Sequence, residues 1–347
     1  MKQLVGLAVA TFALNAATSK PAVPSEPVGA ILDAFRSHRI VALGEGRHTN
    51  EQGHAFRLAL IRDPRFAATV NDIVVESGTA QCQDVMDRYV RGDDVPREEL
   101  RHVWQDTIQT SAVWDHTIYE EFYRAVRDLN VSLPRERQLR VLLGSQPIDW
   151  SRVHTPADYE REIPSFGDQF PTSVIQQEVL RKGRRALVVY GEGHLHRASG
   201  AAVVPTSIVD RLEAAGTRVY LILPATMSDP VRIDGSAAGW PRPALVPVRH
   251  TALGAVDRGY WGGGPADPPR VRPSEQDFDA LLYLGPPASI TLSPLSDSLC
   301  GDPAYLATRL TRMRLRGAEQ EALKVQRQCA AQQDQTSAAI SIPRVSR

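Results

Sequence analysis

Apolar residues are concentrated in short continuous runs that end at glycine or at polar residues. The runs that we assign to β-strands are IVALG (40–44), DIVVES (72–77), LRVLLGS (139–145), RALVVYGEG (185–193) and RVYLILP (218–224). Continuous apolar runs are typical of strands that are buried on both faces of a parallel sheet, whereas alternating runs are typical of half-exposed strands.

Segments with helical periodicity lie between these runs. They cover residues 25–39, 50–63, 166–183 and 205–216. Strands that alternate with helices form right-handed crossovers in a parallel sheet. The sequence therefore predicts an α/β fold, with a mostly parallel central sheet and helices on both faces.

Two longer segments depart from this alternation. Residues 79–131 have helical periodicity but are too long for one crossover helix, so we expect a helical cap insert beside the sheet. Residues 225–275 are rich in proline and glycine and predict a long loop.

The chain beyond this loop predicts a strand and then helices. The strand falls within 279–291, the helices cover 302–332, and a disordered tail occupies 333–347. We expect residues 23–332 to form a single α/β domain.

The N-terminus has the pattern of a secretory signal peptide over residues 1–22. One lysine precedes an apolar run from Leu4 to Leu14, which is followed by small residues and a proline-rich segment. A frayed helix is the alternative. We expect an exported protein, periplasmic or secreted, without a lipid anchor because no cysteine follows the run. No other stretch is long and apolar enough to predict a membrane span.

Charge and cysteine content narrow the possible functions. Forty basic residues balance forty acidic ones, so no basic excess favours nucleic-acid binding. The three cysteines, Cys82, Cys300 and Cys329, lack the spacing of a metal site. In an oxidising compartment Cys300 and Cys329 could form a disulfide; three unpaired cysteines are the alternative.

Carboxylates and imidazoles follow the predicted strands. They are Glu45 and His48 after the first strand, Glu76 at the end of the second, Ser145 and Asp149 after the third, and Glu192, His194 and His196 after the fourth. Ligands of open parallel sheets bind beyond the carboxyl ends of the strands. The repeated Gly-Glu-Gly–His pattern therefore predicts one site that is built from two turns. We expect Gly44, Gly46, Gly191 and Gly193 to adopt positive φ there.

Each of these residues also has a purely structural interpretation. Glu45 and Glu192 could cap the following helices, and Glu76 could pair with an arginine. As a site, the set favours proton transfer, because an imidazole near neutral pKa can accept a proton from water and a neighbouring carboxylate can orient it. The motifs of serine hydrolases, phosphate-binding loops and zinc helices are absent from the sequence. The histidines elsewhere, at 102, 116, 154 and 250, lack such a context.

The motifs resemble a known superfamily. LGEGRHTNEQGHAFRLALI (43–61), VVES (74–77) and VVYGEGHLHR (188–197) resemble the superfamily that joins erythromycin esterases, ChaN-type haem-binding proteins and Tiki/TraB proteins. The resemblance covers residues 40–224. By the esterase pattern, His48 would be the general base that activates water, Glu45 and Glu76 would hold the base and the substrate, and Arg57 would supply positive charge.

The same resemblance leaves alternatives open. His194 and His196 would be the later histidines of the esterases, although those space the pair more widely. ChaN-type proteins imply haem or metal capture, for which His54 would be a second histidine after His48. Tiki/TraB proteins imply a metal-dependent peptidase, and His48, Glu76 and His194 would then hold Mn, Zn or Co.

The leading expectation is an exported hydrolase that cleaves an ester or related bond in a small molecule. His54, Glu192 and His196 are expected to contact the ligand. Trp240, Tyr260 and Trp261 could form an aromatic wall of the pocket or pack in the interior.

Overall fold

The structure, a computed structural model, describes residues 20–163, 168–197, 206–225, 236–260 and 270–340. Its centre is a seven-stranded sheet in the order β3-β2-β4-β1-β5-β9-β6. The strands are β1 Ile40–Gly44, β2 Asp72–Thr79, β3 Arg140–Ser145, β4 Ala186–Tyr190, β5 Val219–Pro224, β6 Ala244–Pro247 and β9 Ala280–Tyr283. A separate antiparallel pair consists of β7 Asp257–Tyr260 and β8 Arg270–Pro273.

Helices cover both faces of the sheet, as the sequence predicted. They are α1 Pro27–Ala34, α2 Glu51–Arg62, α3 Phe66–Thr69, α4 Gln83–Arg91, α5 Arg97–Gln105, α6 Thr117–Val131, α7 Pro156–Glu162, α8 Gln169–Val174, α9 Ile208–Ala214, α10 Ser274–Asp277, α11 Asp297–Gly301, α12 Pro303–Leu315 and α13 Glu319–Ile340. A π-helix, Ile175–Leu180, continues α8.

The continuous apolar runs are explained by burial on two sides. In β1, Val41 and Leu43 belong to the core under α1, α2 and α4–α6, whereas Ile40 and Ala42 belong to the core under α9 and the π-helix. Every residue of β1 is buried. Strands β1 to β5 and β9 pair in parallel, which confirms the predicted α/β class.

The structure contains the predicted helical insert, but part of the segment predicted as a loop is a strand. Helices α4, α5 and α6 form the insert and pack against one face of the sheet. The segment predicted as loop contains β6, which pairs antiparallel with β9 at the sheet edge. Four residues are too short a run to identify from periodicity, and Pro247 is tolerated because an edge strand need not donate every N–H.

The C-terminal helices α11–α13 form a third apolar cluster beside the insert. A disulfide joins Cys300 to Cys329, one of the two alternatives above, and Cys82 is free. Gly317, with φ 69°, separates α12 from α13. Helix α13 extends to Ile340, into the predicted disordered tail, because alanine and glutamine favour helix; residues 341–347 lie outside the described residues.

The predicted signal segment lies mostly outside the described residues, which begin at residue 20. Among the residues that the structure describes, no helix has the length and apolar content of a membrane span.

Candidate functional site

The sheet order brings the ends of β2, β4 and β1 next to one another. Gly44 is in register with Tyr190, and Val75 is in register with Val189. The turns that follow these strands therefore start at the same level of the sheet. This is why Glu45, Glu76 and the second Gly-Glu-Gly turn meet, although about 150 residues separate the first motif from the last.

One half of the site is a chain of three side chains from α2 and from the loop between β1 and α2. Glu45 Oε1 forms an ion pair with Arg57 Nη1 at 3.1 Å, and Glu45 Oε2 lies 2.9 Å from His48 Nδ1. The side chains of Glu45 and Arg57 are only 5% and 6% exposed, whereas that of His48 is 33% exposed. The buried pair therefore fixes an imidazole that solvent can reach.

The loop between β1 and α2 is held in place by hydrogen bonds. Asn50 caps α2 by accepting from the Gly53 N–H at 2.6 Å, and its amide donates to the Glu45 carbonyl at 2.9 Å. Thr49 has a left-handed φ of 67°, which is costly for a β-branched residue. Such strain is found where the surrounding structure over-determines a loop, here beside His48.

The other half of the site is centred on His194. Its Nδ1 lies 2.6 Å from Asp168 Oδ1, and its Nε2 lies 3.3 Å from Glu76 Oε1. The other oxygen of Glu76 accepts from the Gly191 N–H at 2.7 Å. With a carboxylate at each ring nitrogen, His194 is held as an imidazolium that donates at both positions.

The contacts around His194 shift its pKa and that of Glu76 in opposite directions. Burial lowers the pKa of His194, but its hydrogen bonds to Asp168 and Glu76 outweigh this and raise the pKa to about 11. Burial alone would raise the pKa of Glu76, but the hydrogen bond and charge of His194 lower it to about 2. His194 and Glu76 are therefore both charged at neutral pH.

The pKa of His48 is also set by opposing effects of burial and neighbouring charge. Burial lowers its pKa, but the hydrogen bond and charge of Glu45, with the charge of Glu76, raise it above 6.5. When His48 is neutral, Glu45 keeps the ring proton on Nδ1, so Nε2 carries the lone pair. This nitrogen makes no hydrogen bond to the part of the chain that the structure describes.

The second Gly-Glu-Gly turn passes close to His48. A Cβ atom on Gly191 would lie 3.0 Å from Nε2 of His48 and 3.3 Å from Oε2 of Glu76. Gly191 has φ −58°, so the site needs glycine for space at this position and not for positive φ. Of the four glycines predicted to adopt positive φ, only Gly46 does so, with φ 61°.

A cavity of about 220 Å³ opens beside His194, and Trp114, which packs against His48, forms part of its wall. Its lining includes Glu76, Asp168, His194, Tyr190, Gly144, Ser145, Gln109, Gln146, Tyr159 and Arg316. The Arg316 guanidinium lies 4.8 Å from the centre of the Tyr159 ring. The cavity thus combines charged groups, amides and aromatic rings, as ligand sites commonly do.

Several predicted residues lie outside this cluster. His54 is buried between α2 and α6, where its Nε2 contacts Glu121 at 3.1 Å. His196 contacts the Gly193 carbonyl and the Thr206 hydroxyl, each at 3.0 Å. Glu192 is half-buried next to Gly44, and Asp149 accepts from the Ser151 N–H at 3.0 Å. After β4 the chain forms a 3₁₀ turn, Glu192–His194, whose side chains spread around its axis, so residues close in sequence are not all brought to the site.

The other histidines and aromatic residues noted in the sequence make contacts away from the site. His102 contacts Asp106 at 2.7 Å, and His116 contacts the Ser293 carbonyl. Trp240 is half-buried and packs edge-on against Tyr283, with ring centres 5.4 Å apart, which favours packing over a pocket wall. Trp261 and the side chain of Tyr260 lie outside the described part of the structure.

Three residues of the site were not identified from the sequence. Asp168, at the start of α8, holds His194; Trp114, from the insert, packs edge-on against His48 at 5.1 Å; and Tyr190 lines the cavity. Tyr190 directly precedes the second Gly-Glu-Gly motif, a signal that could have identified it. Asp168 and Trp114 carry no motif.

Glu45, His48 and Glu76 could also hold a metal ion. Each offers one ligand atom, and these atoms lie within 4.8 Å of one another. Oxygen and imidazole donors suit Mn or Zn. The metal ligands predicted from the sequence were His48, Glu76 and His194. In the structure, the two ring nitrogens of His194 contact Asp168 and Glu76, and Glu45 completes the donor set.

No protein-family model and no curated protein matches the chain. Among solved structures, a succinoglycan biosynthesis protein has a TM-score of 0.57 at 10% identity, covering 79% of this chain and 96% of its own. A Bacillus cereus protein solved by structural genomics has a TM-score of 0.51 at 11% identity, covering 81% of this chain and 95% of its own.

A third structure shows cofacial haem binding to ChaN of Campylobacter jejuni. Its TM-score is 0.34 at 11% identity, covering 59% of this chain and 88% of its own. The two higher scores show a shared fold alone. None of the comparisons shows the superfamily that the motifs resemble.

Proposed function

We propose that this protein is a hydrolase that cleaves an ester or related bond with a water molecule activated by His48. The observation that carries the proposal is the chain Arg57–Glu45–His48, which presents an oriented imidazole that packs against Trp114, a residue of the cavity lining. A buried carboxylate that fixes the tautomer of a solvent-accessible histidine is the arrangement that general-base catalysis needs.

The proposed reaction uses the two histidines differently. Nε2 of neutral His48 accepts a proton from water while the water oxygen bonds to the carbonyl carbon. The resulting oxyanion collapses, the bond to the leaving oxygen breaks, and His48 returns the proton to that oxygen. The His194 imidazolium, fixed by Asp168 and Glu76, supplies positive charge near the negative charge that develops.

A metal-dependent hydrolase is the second candidate, because Glu45, His48 and Glu76 form a compact donor set. A divalent ion held there would lower the pKa of a bound water and polarise a carbonyl. In that case the same residues would act as ligands, and Arg57 would still hold Glu45 in position.

Haem capture is supported less well by these residues. His54, the second histidine that the resemblance implied, is 5% exposed, contacts Glu121 and does not line the cavity. The cavity of about 220 Å³ is also below the roughly 300–1,000 Å³ of typical ligand pockets. A small substrate, or one end of a larger one, suits it better.

We further propose that the chain is an exported member of the superfamily that joins erythromycin esterases, ChaN-type and Tiki/TraB proteins. The support is the position of its motifs, since Glu45 and His48 follow β1, Glu76 lies near the end of β2, and β4 with the second Gly-Glu-Gly turn lies between these two strands. The Cys300–Cys329 disulfide supports export, because disulfides persist mainly in oxidising compartments.

Hydrolysis of a panel of activated esters, including p-nitrophenyl acetate, tests the proposal. We expect His48→Asn to lower kcat/KM by about 100-fold or more. His102→Asn is the matched control, since this exposed histidine contacts Asp106 and should leave turnover unchanged. Equal turnover by wild type and His48→Asn would refute the base assignment. Loss of turnover in EDTA, restored by Mn²⁺ or Zn²⁺, would select the metal-dependent version.

A further inference from the structure

Tyr190, the last residue of β4, has a buried hydroxyl group without a partner. The residue is 2% exposed, and its Oη makes no hydrogen bond to any residue that the structure describes. The great majority of buried polar side-chain atoms are hydrogen-bonded, so an unpartnered one requires an explanation. Phenylalanine would fill the same space without the cost of desolvating a hydroxyl.

The position of this hydroxyl is set by a glycine on another strand. A Cβ atom on Gly144 of β3 would lie only 1.6 Å from Tyr190 Oη. The Tyr190 side chain thus reaches from β4 across β2 to occupy the space that a side chain at residue 144 would need. Gly144 and Tyr190 both line the cavity, together with Glu76, Ser145 and His194.

The acidic groups near the hydroxyl are already engaged. Glu76 accepts from Gly191 and contacts His194, and Asp168 contacts the other nitrogen of His194. Burial, with the charges of Glu76 and Asp168, raises the pKa of Tyr190 well above 10, so the phenol keeps its proton. Tyr190, a residue of the cavity lining, therefore carries a buried neutral O–H donor that lacks an acceptor among the described residues.

We propose that the Tyr190 hydroxyl is a catalytic hydrogen-bond donor that binds the carbonyl oxygen of the substrate and stabilises the oxyanion formed from it. This inference rests on the proposed hydrolase function and adds the group that receives the developing negative charge. It also narrows the substrate class, since the scissile group must carry an oxygen acceptor small enough to approach Gly144. The donor is supplied by the fold before substrate binds, as oxyanion stabilisation requires.

Two matched variants separate this role from a packing role. Tyr190→Phe removes one oxygen atom and keeps the ring, which lies edge-on to His194 with centres 5.9 Å apart. Tyr123→Phe is the control: Tyr123 is equally buried, but its hydroxyl contacts the Ser77 hydroxyl at 2.7 Å and does not line the cavity.

The experiment measures p-nitrophenyl acetate hydrolysis, thermal unfolding and binding of p-nitrophenyl methylphosphonate, a tetrahedral anion, by the full chain. For Tyr190→Phe we expect a kcat loss of about 100-fold with little change in KM, weaker phosphonate binding, and a Tm that is unchanged or higher by about 2 °C. For Tyr123→Phe we expect unchanged kcat and a lower Tm, because it loses a satisfied hydrogen bond.

The outcomes distinguish this inference from the proposed function. Turnover that is lost in His48→Asn but unchanged in Tyr190→Phe overturns the role of Tyr190 and leaves the hydrolase proposal in place. A lower Tm with unchanged kcat in Tyr190→Phe assigns the hydroxyl to packing and likewise overturns the inference. A wild-type protein that neither hydrolyses the ester nor binds the phosphonate overturns both.

Discussion

Replacement of Glu45 by glutamine tests how the site is held together, because each carboxylate oxygen has a different partner. Oε1 forms an ion pair with Arg57, and Oε2 contacts His48. Glutamine keeps the shape but presents an NH₂ group to one partner. Opposite His48 Nδ1, that group favours the tautomer with its proton on Nε2, so the nitrogen that should accept a proton from water becomes a donor.

The structure sets the magnitude of the effect. Unit charges 3.1 Å apart attract by roughly 5 kcal/mol at an effective dielectric constant of about 20. Both side chains are nearly fully buried, and removing one partner of a buried ion pair costs about 3–5 kcal/mol because the other charge stays desolvated. We expect Glu45→Gln to lower the free energy of unfolding toward that range and to lower kcat about 10²- to 10⁴-fold.

The assay combines urea unfolding, ester hydrolysis and an NMR titration of the His48 ring. The loss of Glu45's charge and hydrogen bond should lower the pKa of His48. Asp63→Asn is the control, since its partner Arg65 is 60% exposed and surface pairs contribute about 1 kcal/mol or less. In the double variant Glu45→Gln with Arg57→Met, part of the lost stability should return, because no buried cation is left unpaired.

Two results would refute this reasoning. If Glu45→Gln lowered the free energy of unfolding by no more than Asp63→Asn does, the ion pair of Glu45 and Arg57 would not be buried as it is in the structure. Unchanged kcat together with an unchanged His48 titration would mean that Glu45 does not control the protonation of the base.

Three further predictions follow from the geometry. His48 must be neutral to accept a proton, and its pKa is raised, so kcat/KM should increase with pH through a pKa above 6.5. A pH–rate profile tests this, and a kcat/KM that does not change between pH 5 and 9 would contradict it. Gly191→Ala should lower kcat about 10-fold or more, because the new Cβ would lie 3.0 Å from the His48 ring and displace it. Gly193→Ala is the control: its Cβ would have no atom within 4 Å, so kcat should not change. Steady-state kinetics of the two variants tests this. Reduction of the Cys300–Cys329 disulfide, which closes a segment with a sequence separation of 29, should lower the free energy of unfolding by about 3–4 kcal/mol, as denaturant unfolding with and without reductant would measure.

Features that depend on neighbours along the chain were predicted correctly from the sequence. The continuous apolar run of β1 specified a strand that is buried on both faces, and its predicted bounds, 40–44, are those observed. The placement of Glu45 and His48 after β1 and of Glu76 near the end of β2, at one edge of the sheet, followed from a general property of parallel sheets. Burial patterns and strand ends are local, so one sequence records them directly.

Features that depend on contacts across the fold became visible only in the tertiary structure. The sequence does not indicate that Asp168 would hold His194, that Trp114 would cover His48, or that Tyr190 would reach Gly144 on another strand. It also suggested a ligand role for His54, which instead faces α6. Periodicity records which face of an element is buried, whereas the partner of a side chain depends on how elements distant in sequence pack against each other.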